Sequence, residues 1–243
     1  MIDLFSIILV IIVILYVVLL IMVSEYIRSR KRLSPYFTRR IIHLLAGDSI
    51  VVLPLFKHVI YPVVITVVLA LMIFIGLSKP GNPFSKTMVI TEYDKLHVYG
   101  PLYYILAIMI LVILFYNRPE IVIASTMIMA WGDGFASLIP KYISNPHMIF
   151  DNGVRYRKSI EGTLGMFIMG FLGAIIGLFL STILTGYNFN IVSLAPIILI
   201  ASIVSSIVEM LSVGPLASFD NLTVPMASSI TILILERMLL SIT

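Results

Sequence analysis

The sequence has no cysteine, a single tryptophan and little charge: Asp, Glu, Lys and Arg make up 12% of its 243 residues. Without cysteine there can be no disulfide, no thiolate metal site and no cysteine nucleophile. Charge at about half the usual share leaves too little polar surface to clothe a soluble domain of this length. No Gly-x4-Gly-Lys-Ser/Thr order occurs, which excludes a Walker A loop. What fills the chain instead is apolar, with 60% hydrophobic residues and a mean hydropathy of +1.11. Several apolar runs approach or exceed the roughly 18 residues that cross a bilayer as a helix. The class is therefore an all-α integral membrane protein.

The runs divide into eight expected spans, at about 4–23, 41–56, 59–77, 100–116, 121–139, 162–184, 193–212 and 223–241. The first has no basic region before it and no small-residue cleavage site, so it reads as a transmembrane helix and not as a removable signal. Lysine and arginine give an independent check. Arg28, Arg30, Lys31, Arg32, Arg39 and Arg40 follow the first span; Lys79, Lys86 and Lys95 follow the third; Lys141, Arg155, Arg157 and Lys158 follow the fifth. Only Lys57, Arg118 and Arg237 fall on the other side. The positive-inside rule then places the three long loops in the cytoplasm and both termini on the non-cytoplasmic side. The net charge of +4 follows from that topology and from contact with anionic headgroups, and nucleic acid is not an expected partner.

Four polar clusters remain that a membrane does not accept cheaply. The central one is Trp131-Gly132-Asp133-Gly134, an aspartate between two glycines inside an apolar run. A carboxylate at bilayer depth costs a few kcal/mol even on lenient insertion scales, so it reads as functional by default. The glycines weaken the helix and let another backbone or a ligand approach. Asp133 could hold a magnesium ion that carries nucleotide phosphates, or take the proton from an attacking alcohol; the sequence leaves both open. A turn-capping aspartate is the structural alternative.

The second cluster is Arg39-Arg40-x-x-His43, with Gly47-Asp48 beyond it. On a helix His43 shares a face with either arginine, and guanidiniums grip phosphate bidentately. The alternative is an arginine pair that snorkels at a helix end. The third is Arg155-x-Arg157-Lys158-Ser159-x-Glu161-Gly162-Thr163. Here Ser159 is an expected N-cap, with Glu161 and Thr163 in the first turn, and a helix N-terminus beside a lysine suits an anion. A well-capped helix flanked by topology-setting charges explains it equally well. The fourth joins Glu209, deep in the seventh span, to Asp220-Asn221-Leu222-Thr223-x-Pro225, where Asn221 or Thr223 is the expected cap of the last helix. Gly173 and Gly177 form a small-residue pair for close helix packing.

Taken in order, Arg39-Arg40-x-x-His43-x-x-x-Gly47, Gly132-Asp133-x-x-Ala136-Ser137, Lys158-Ser159-x-Glu161-Gly162-Thr163, Glu209 and Asp220-Asn221-Leu222-Thr223-x-Pro225 resemble the dolichol kinase and phytol kinase family. The resemblance runs from about residue 39 to the C-terminus; Leu138-Ile139-Pro140 departs from the small residues usual there. It implies a CTP-dependent kinase that phosphorylates a long-chain isoprenoid alcohol (dolichol or polyprenol, or phytol or geranylgeraniol) at the cytoplasmic face, with Mg2+. Asp133, Lys158, Glu161 and His43 would be catalytic. Arg39, Arg40, Gly132, Gly134, Arg157, Lys158, Ser159, Gly162 and Thr163 would bind nucleotide or phosphate. Asp133, Glu209, Asp220 and Asn221 would hold metal. The chain would be one transmembrane domain, with residues 1–38 a first helix and basic cytoplasmic loop and 39–243 the kinase-like bundle, in the cell membrane or the endoplasmic reticulum membrane. A CTP-dependent diacylglycerol kinase or a CDP-lipid synthase is the alternative within lipid chemistry, although the basic-Asp-Pro-Gly signature of cytidylyltransferases is absent. An ion-coupled transporter is the alternative outside it, and the sequence shows no inverted repeat.

Overall fold

Each expected apolar run coincides with a helical rod. The structure, a computed structural model, describes residues 3–31, 33–78, 99–151, 157–213 and 219–240. Lys79, Lys86, Lys95, Arg32 and Arg155 lie outside the described residues. The helices are α1 (Leu4–Lys31), α2 (Pro35–Asp48) continued by a 3-10 segment (Ser49–Leu55), α3 (Ile60–Ser78), α4 (Gly100–Phe115), and α5 (Pro119–Met127). A π-helical turn (Ile128–Asp133) joins α5 to α6 (Gly134–Leu138), and α7 (Ile160–Thr185), α8 (Ile191–Leu211) and α9 (Asp220–Leu240) complete the bundle. Six of these rods are long and apolar enough to cross a membrane, and α4 is a shorter apolar helix. The chain is an all-α polytopic membrane protein with one small addition, an antiparallel hairpin of β1 (Met148–Asp151) and β2 (Arg157–Ser159).

Local chemistry sets the helix ends. Ser34 caps α2 by accepting from Phe37 N at 3.3 Å, and Pro35 at the first helical position loses no hydrogen bond. Arg28, Arg30 and Lys31 sit in the last turn of α1, where cations complement the helix dipole. Asn190 caps α8 through Ser193 N at 3.2 Å. Gly186, at φ 71°, closes α7 in the left-handed conformation, with its N–H donating to Thr182 O at 3.0 Å.

The rod from Pro119 to Tyr142 is the centre of the bundle, with 78% of its apolar window buried against 28–39% for the other five spanning rods. Ile121, Val122, Ile123, Met127, Ile128, Met129 and Ala130 are all fully buried. The outer helices instead display Leu15, Leu71, Phe74, Phe179 and Ile203, a surface that suits lipid and not water. Gly173 and Gly177 on α7 lie against Trp131 and Met127, which makes them the close-packing surface expected of that pair.

The helices alternate in direction, so the polar residues sort to two ends. At one end Lys57 donates to Asp3 Oδ1 at 2.7 Å, and Arg118 bridges Glu120 and the buried Glu236. At the other end, where α1 finishes in its basic turn, lie the starts of α2, α4, α7 and α9 and the end of α8. That second end holds the remaining polar cluster.

Candidate active site

The π-helical turn is what positions Asp133. The glycines on either side do not break the rod; Asp133 (φ −63°, ψ −36°) and Gly134 (φ −54°, ψ −52°) keep right-handed helical backbone. The helix widens there instead of turning back, a distortion that often accompanies functional sites. A Cβ on Gly132 would stand 3.1 Å from Met166 O, and one on Gly134 would meet Leu44 at 3.6 Å, so both glycines are packing surfaces for α7 and α2. Gly47 is tighter: a Cβ there would lie 2.5 Å from both the Ala130 Cβ and the Tyr104 hydroxyl. That close approach brings the first turns of α2 onto the Asp133 carboxylate.

Arg40 donates to Asp133 Oδ2, and His43 Nε2 stands 3.6 Å from the same oxygen. The carboxylate is 8% exposed and the imidazole 10%, so the group is sheltered. Nε2 of the His43 ring is buried without a hydrogen-bond partner. Tyr104 fixes the same turn from α4: its hydroxyl donates to His43 O at 2.9 Å and its ring packs at a tilt of 48° against the imidazole, with centroids 4.0 Å apart. Arg39 and Arg40 are adjacent and so face different ways. The Arg39 guanidinium lies over the backbone of Gly100, where a Cβ would come within 2.2 Å of it.

A second pair stands beside the first. Lys158, from β2, donates to Glu209 Oε1 at the end of α8, and both side chains are largely buried. Burial opposes the Lys158 charge, but the Glu209 and Asp220 carboxylates outweigh it and hold the ammonium above its ordinary range. Asp220, at the start of α9, is within electrostatic reach of Asp133, Lys158, Arg40 and Glu209 together. Residues from α2, the π-turn, β2, α8 and α9 thus form one sheltered group of alternating charge around the buried Asp133 and Glu209, with Lys158 also within electrostatic reach of Asp133. Such a group of partly compensated charges in a sheltered recess is the environment in which phosphate and proton chemistry are usually placed.

The remaining expected residues lie around this group or apart from it. Ser159 is the N-cap of α7, accepting from Gly162 N at 3.1 Å, and the Thr163 hydroxyl donates to Ser159 O at 3.1 Å. Gly162 is a packing position, since a Cβ would fall 2.8 Å from Ala136 O. Gly162→Ala should therefore push α7 away from the Asp133 rod and lower stability by roughly 1–3 kcal/mol, read as a drop in melting temperature of the purified protein. Glu161 points to the hairpin: both its oxygens accept from His147 N at 3.0 Å and Oε1 pairs with the His147 ring at 2.7 Å. Arg157 reaches Asp151 across the hairpin at 3.6 Å, largely exposed. Asn221 is not a cap: α9 begins one residue earlier, and Asn221 Nδ2 donates to Gly100 O at 3.1 Å, tying α9 to α4. Its Oδ1 and the Thr223 hydroxyl are buried with no partner. Asp48 accepts from Trp131 Nε1 at 2.8 Å, one turn below the site.

Three participants carried no signal in the sequence. Tyr104 is an aromatic in an apolar run, Gly100 a helix-start glycine and His147 a loop histidine. Only their partners, which are remote in sequence, give them meaning.

Among the described residues there is no group of three or more acidic, histidine or cysteine side chains that could alone cage a metal ion. Magnesium commonly takes one or two carboxylates and completes its shell with water and substrate phosphates. Asp133, Asp220 and the unpartnered Asn221 Oδ1 are the oxygens nearest to that description.

Comparison with known proteins gives the same direction. No family model matches the chain, and no solved structure is significantly similar to it. The chain is 26% identical over 216 residues to a probable phytol kinase 1, chloroplastic, of Glycine max, covering 86% of this chain and 70% of that protein. It is equally similar, at 26% over 216 residues, to phytol kinase 1, chloroplastic, of Arabidopsis thaliana, covering 86% and 69%. A phytol kinase of Synechocystis sp. is 35% identical over 142 residues, covering 55% of this chain and 53% of that protein. With the ordered polar motifs and the helical membrane architecture, this likeness to phytol kinases supports assignment of the chain to the phytol and polyprenol kinase family, whose phosphate acceptor is an alcohol.

Proposed function

We propose that the protein transfers the γ-phosphoryl group of CTP to the hydroxyl of an isoprenoid alcohol at the cytoplasmic face of its membrane. The observation that carries this reading is the joining of Arg40, His43, Asp133, Lys158, Glu209 and Asp220 into one sheltered group at the end of the bundle that bears the basic loops. CTP as donor follows from the family resemblance. The cytoplasmic address follows from the basic residues at that end.

The chemistry needs positioning and charge neutralisation more than covalent help from the protein. Arg40 and Lys158 supply fixed cations for the phosphates, and Arg39 stands beside them over Gly100. The alcohol oxygen attacks the γ-phosphorus, the new O–P bond forms, and the bond to the β-phosphate oxygen breaks, releasing CDP. The alcohol proton goes to the Asp133–His43 pair, where Nε2 of His43 is an acceptor without a partner. Magnesium would be held by Asp133 and Asp220, with Asn221 and Glu209 close by. When bound, it would neutralise charge on the transferring phosphates. Glu209 and Asp220 keep Lys158 charged and fixed, while Glu161 positions the hairpin through His147.

The test follows the label. Membranes containing the protein, given geranylgeraniol or phytol with CTP labelled on the γ-phosphate, should yield labelled lipid monophosphate, whereas CTP labelled on the α-phosphate should yield none. Labelled lipid from the α-position, with γ-label released in pyrophosphate, would assign the protein to cytidylyl transfer instead.

A further inference from the structure

Two adjoining clefts lie between α1, the α2 rod, α3 and α4. They share Val17, Ala46, Leu69, Tyr104 and Ile105 and so form one continuous groove. Its upper part is bordered by Arg39, His43 and Pro101, and its lower part ends among Phe56, Pro62 and Val112. From Pro101 to Val112 the α4 wall is about 16 Å long at ~1.5 Å per residue. That is about half of a ~30 Å hydrocarbon core.

The polar atoms of the wall are engaged elsewhere. Ser49 Oγ donates to Ala46 O at 2.7 Å, Thr66 Oγ1 to Val63 O at 2.8 Å and Tyr104 Oη to His43 O at 2.9 Å. Below His43 the groove therefore offers an occupant only apolar contact. Its upper end is polar: Arg39 and His43 border it, and behind the His43 ring the buried Nε2 stands 3.6 Å from Asp133 Oδ2. An occupant matching both ends is one apolar chain bearing a single polar group at its tip.

We infer that this groove holds the tail of the acceptor alcohol, places its hydroxyl against His43 and Asp133, and selects a single isoprenoid chain by length. The inference rests on the kinase reading for the reaction at the tip, but not for the binding below it. Since the alcohol arrives from lipid as apolar as the groove, length selection comes from packing and not from transfer out of water. Ile65 and Ile108 line only the lower part, and Ile73 only the upper.

Two measurements test it. First, an isoprenoid alcohol of four isoprene units with a diazirine at the tail end is photolysed in nanodiscs containing the protein, and the adducts are mapped by mass spectrometry. Adducts on α3 and α4 near Ile65 and Ile108, reduced by excess geranylgeraniol, are expected. Adducts confined to the outer faces of α7 and α8, or insensitive to competitor, overturn the groove whether or not the protein proves to be a kinase. Second, Ile65→Trp and Ile108→Trp are assayed with geraniol, farnesol and geranylgeraniol, alcohols of two, three and four isoprene units. Each should lower kcat/KM for the longest by about tenfold and for geraniol by clearly less, with a melting temperature near that of wild type showing that the variant is folded. An equal loss on all three alcohols, or an unchanged length profile, would contradict the assignment. Wild-type protein that crosslinks in the groove yet phosphorylates no alcohol would refute the kinase reading and leave the groove standing.

Discussion

Replacement of Asp133 by Asn is expected to lower phosphoryl transfer by about three orders of magnitude while the protein still inserts and folds. The size follows from removing a group that acts on the reacting proton or on metal-borne charge, effects of ~10²–10⁴ each. Folding should survive because the geometry is nearly isosteric. An Asn oxygen in the place of Oδ2 can still accept from Arg40. The two readouts are kcat with saturating CTP and the melting temperature in detergent. Turnover within about threefold of wild type would remove Asp133 from the chemistry.

Lys158 gives the second large effect, and here stability and activity should separate. Lys158→Met leaves Glu209 buried without its counter-charge, and loss of one partner of a buried pair typically costs ~3–5 kcal/mol. The double variant Lys158→Met with Glu209→Gln removes the stranded charge and should recover most of that stability. Activity should stay down by roughly a hundredfold or more in both, because the cation that receives phosphate is missing from each. Recovery of activity together with stability would show Lys158 to be structural only. The pair also has a pH signature. A lysine whose folded pKa is raised contributes stability that is complete below its ordinary value of 10.5 and is lost as pH rises through the higher folded value. Above pH 10.5 stability should therefore fall more steeply in the wild type than in the double variant, which lacks the pair, as read from melting temperature against pH.

The bundle was legible because length and apolarity alone determine a spanning helix; each run of Ile, Leu and Val maps onto a rod. The i, i+3 spacing of Arg40 and His43 likewise foretells a shared face, and both side chains do turn to Asp133. Three things were not readable. The π-turn at Ile128–Asp133 has no marker beyond two glycines, which read equally as a break. The hairpin arises from pairing between Met148 and Ser159 across a polar loop, so the partners it gives Glu161 and Arg157, His147 and Asp151, were not readable. Finally, Glu209 and Lys158 are 51 residues apart, and sequence cannot state which buried cation meets which buried anion.

The most direct test of the account is product stoichiometry with the purified protein in nanodiscs. CTP, Mg2+ and geranylgeraniol are mixed, and nucleotides and lipids are quantified by mass spectrometry. One CDP and one prenyl monophosphate should appear for each CTP consumed, with consumption absent when the alcohol is omitted. Pyrophosphate with a CMP-bearing lipid, or CTP loss independent of alcohol, would contradict it.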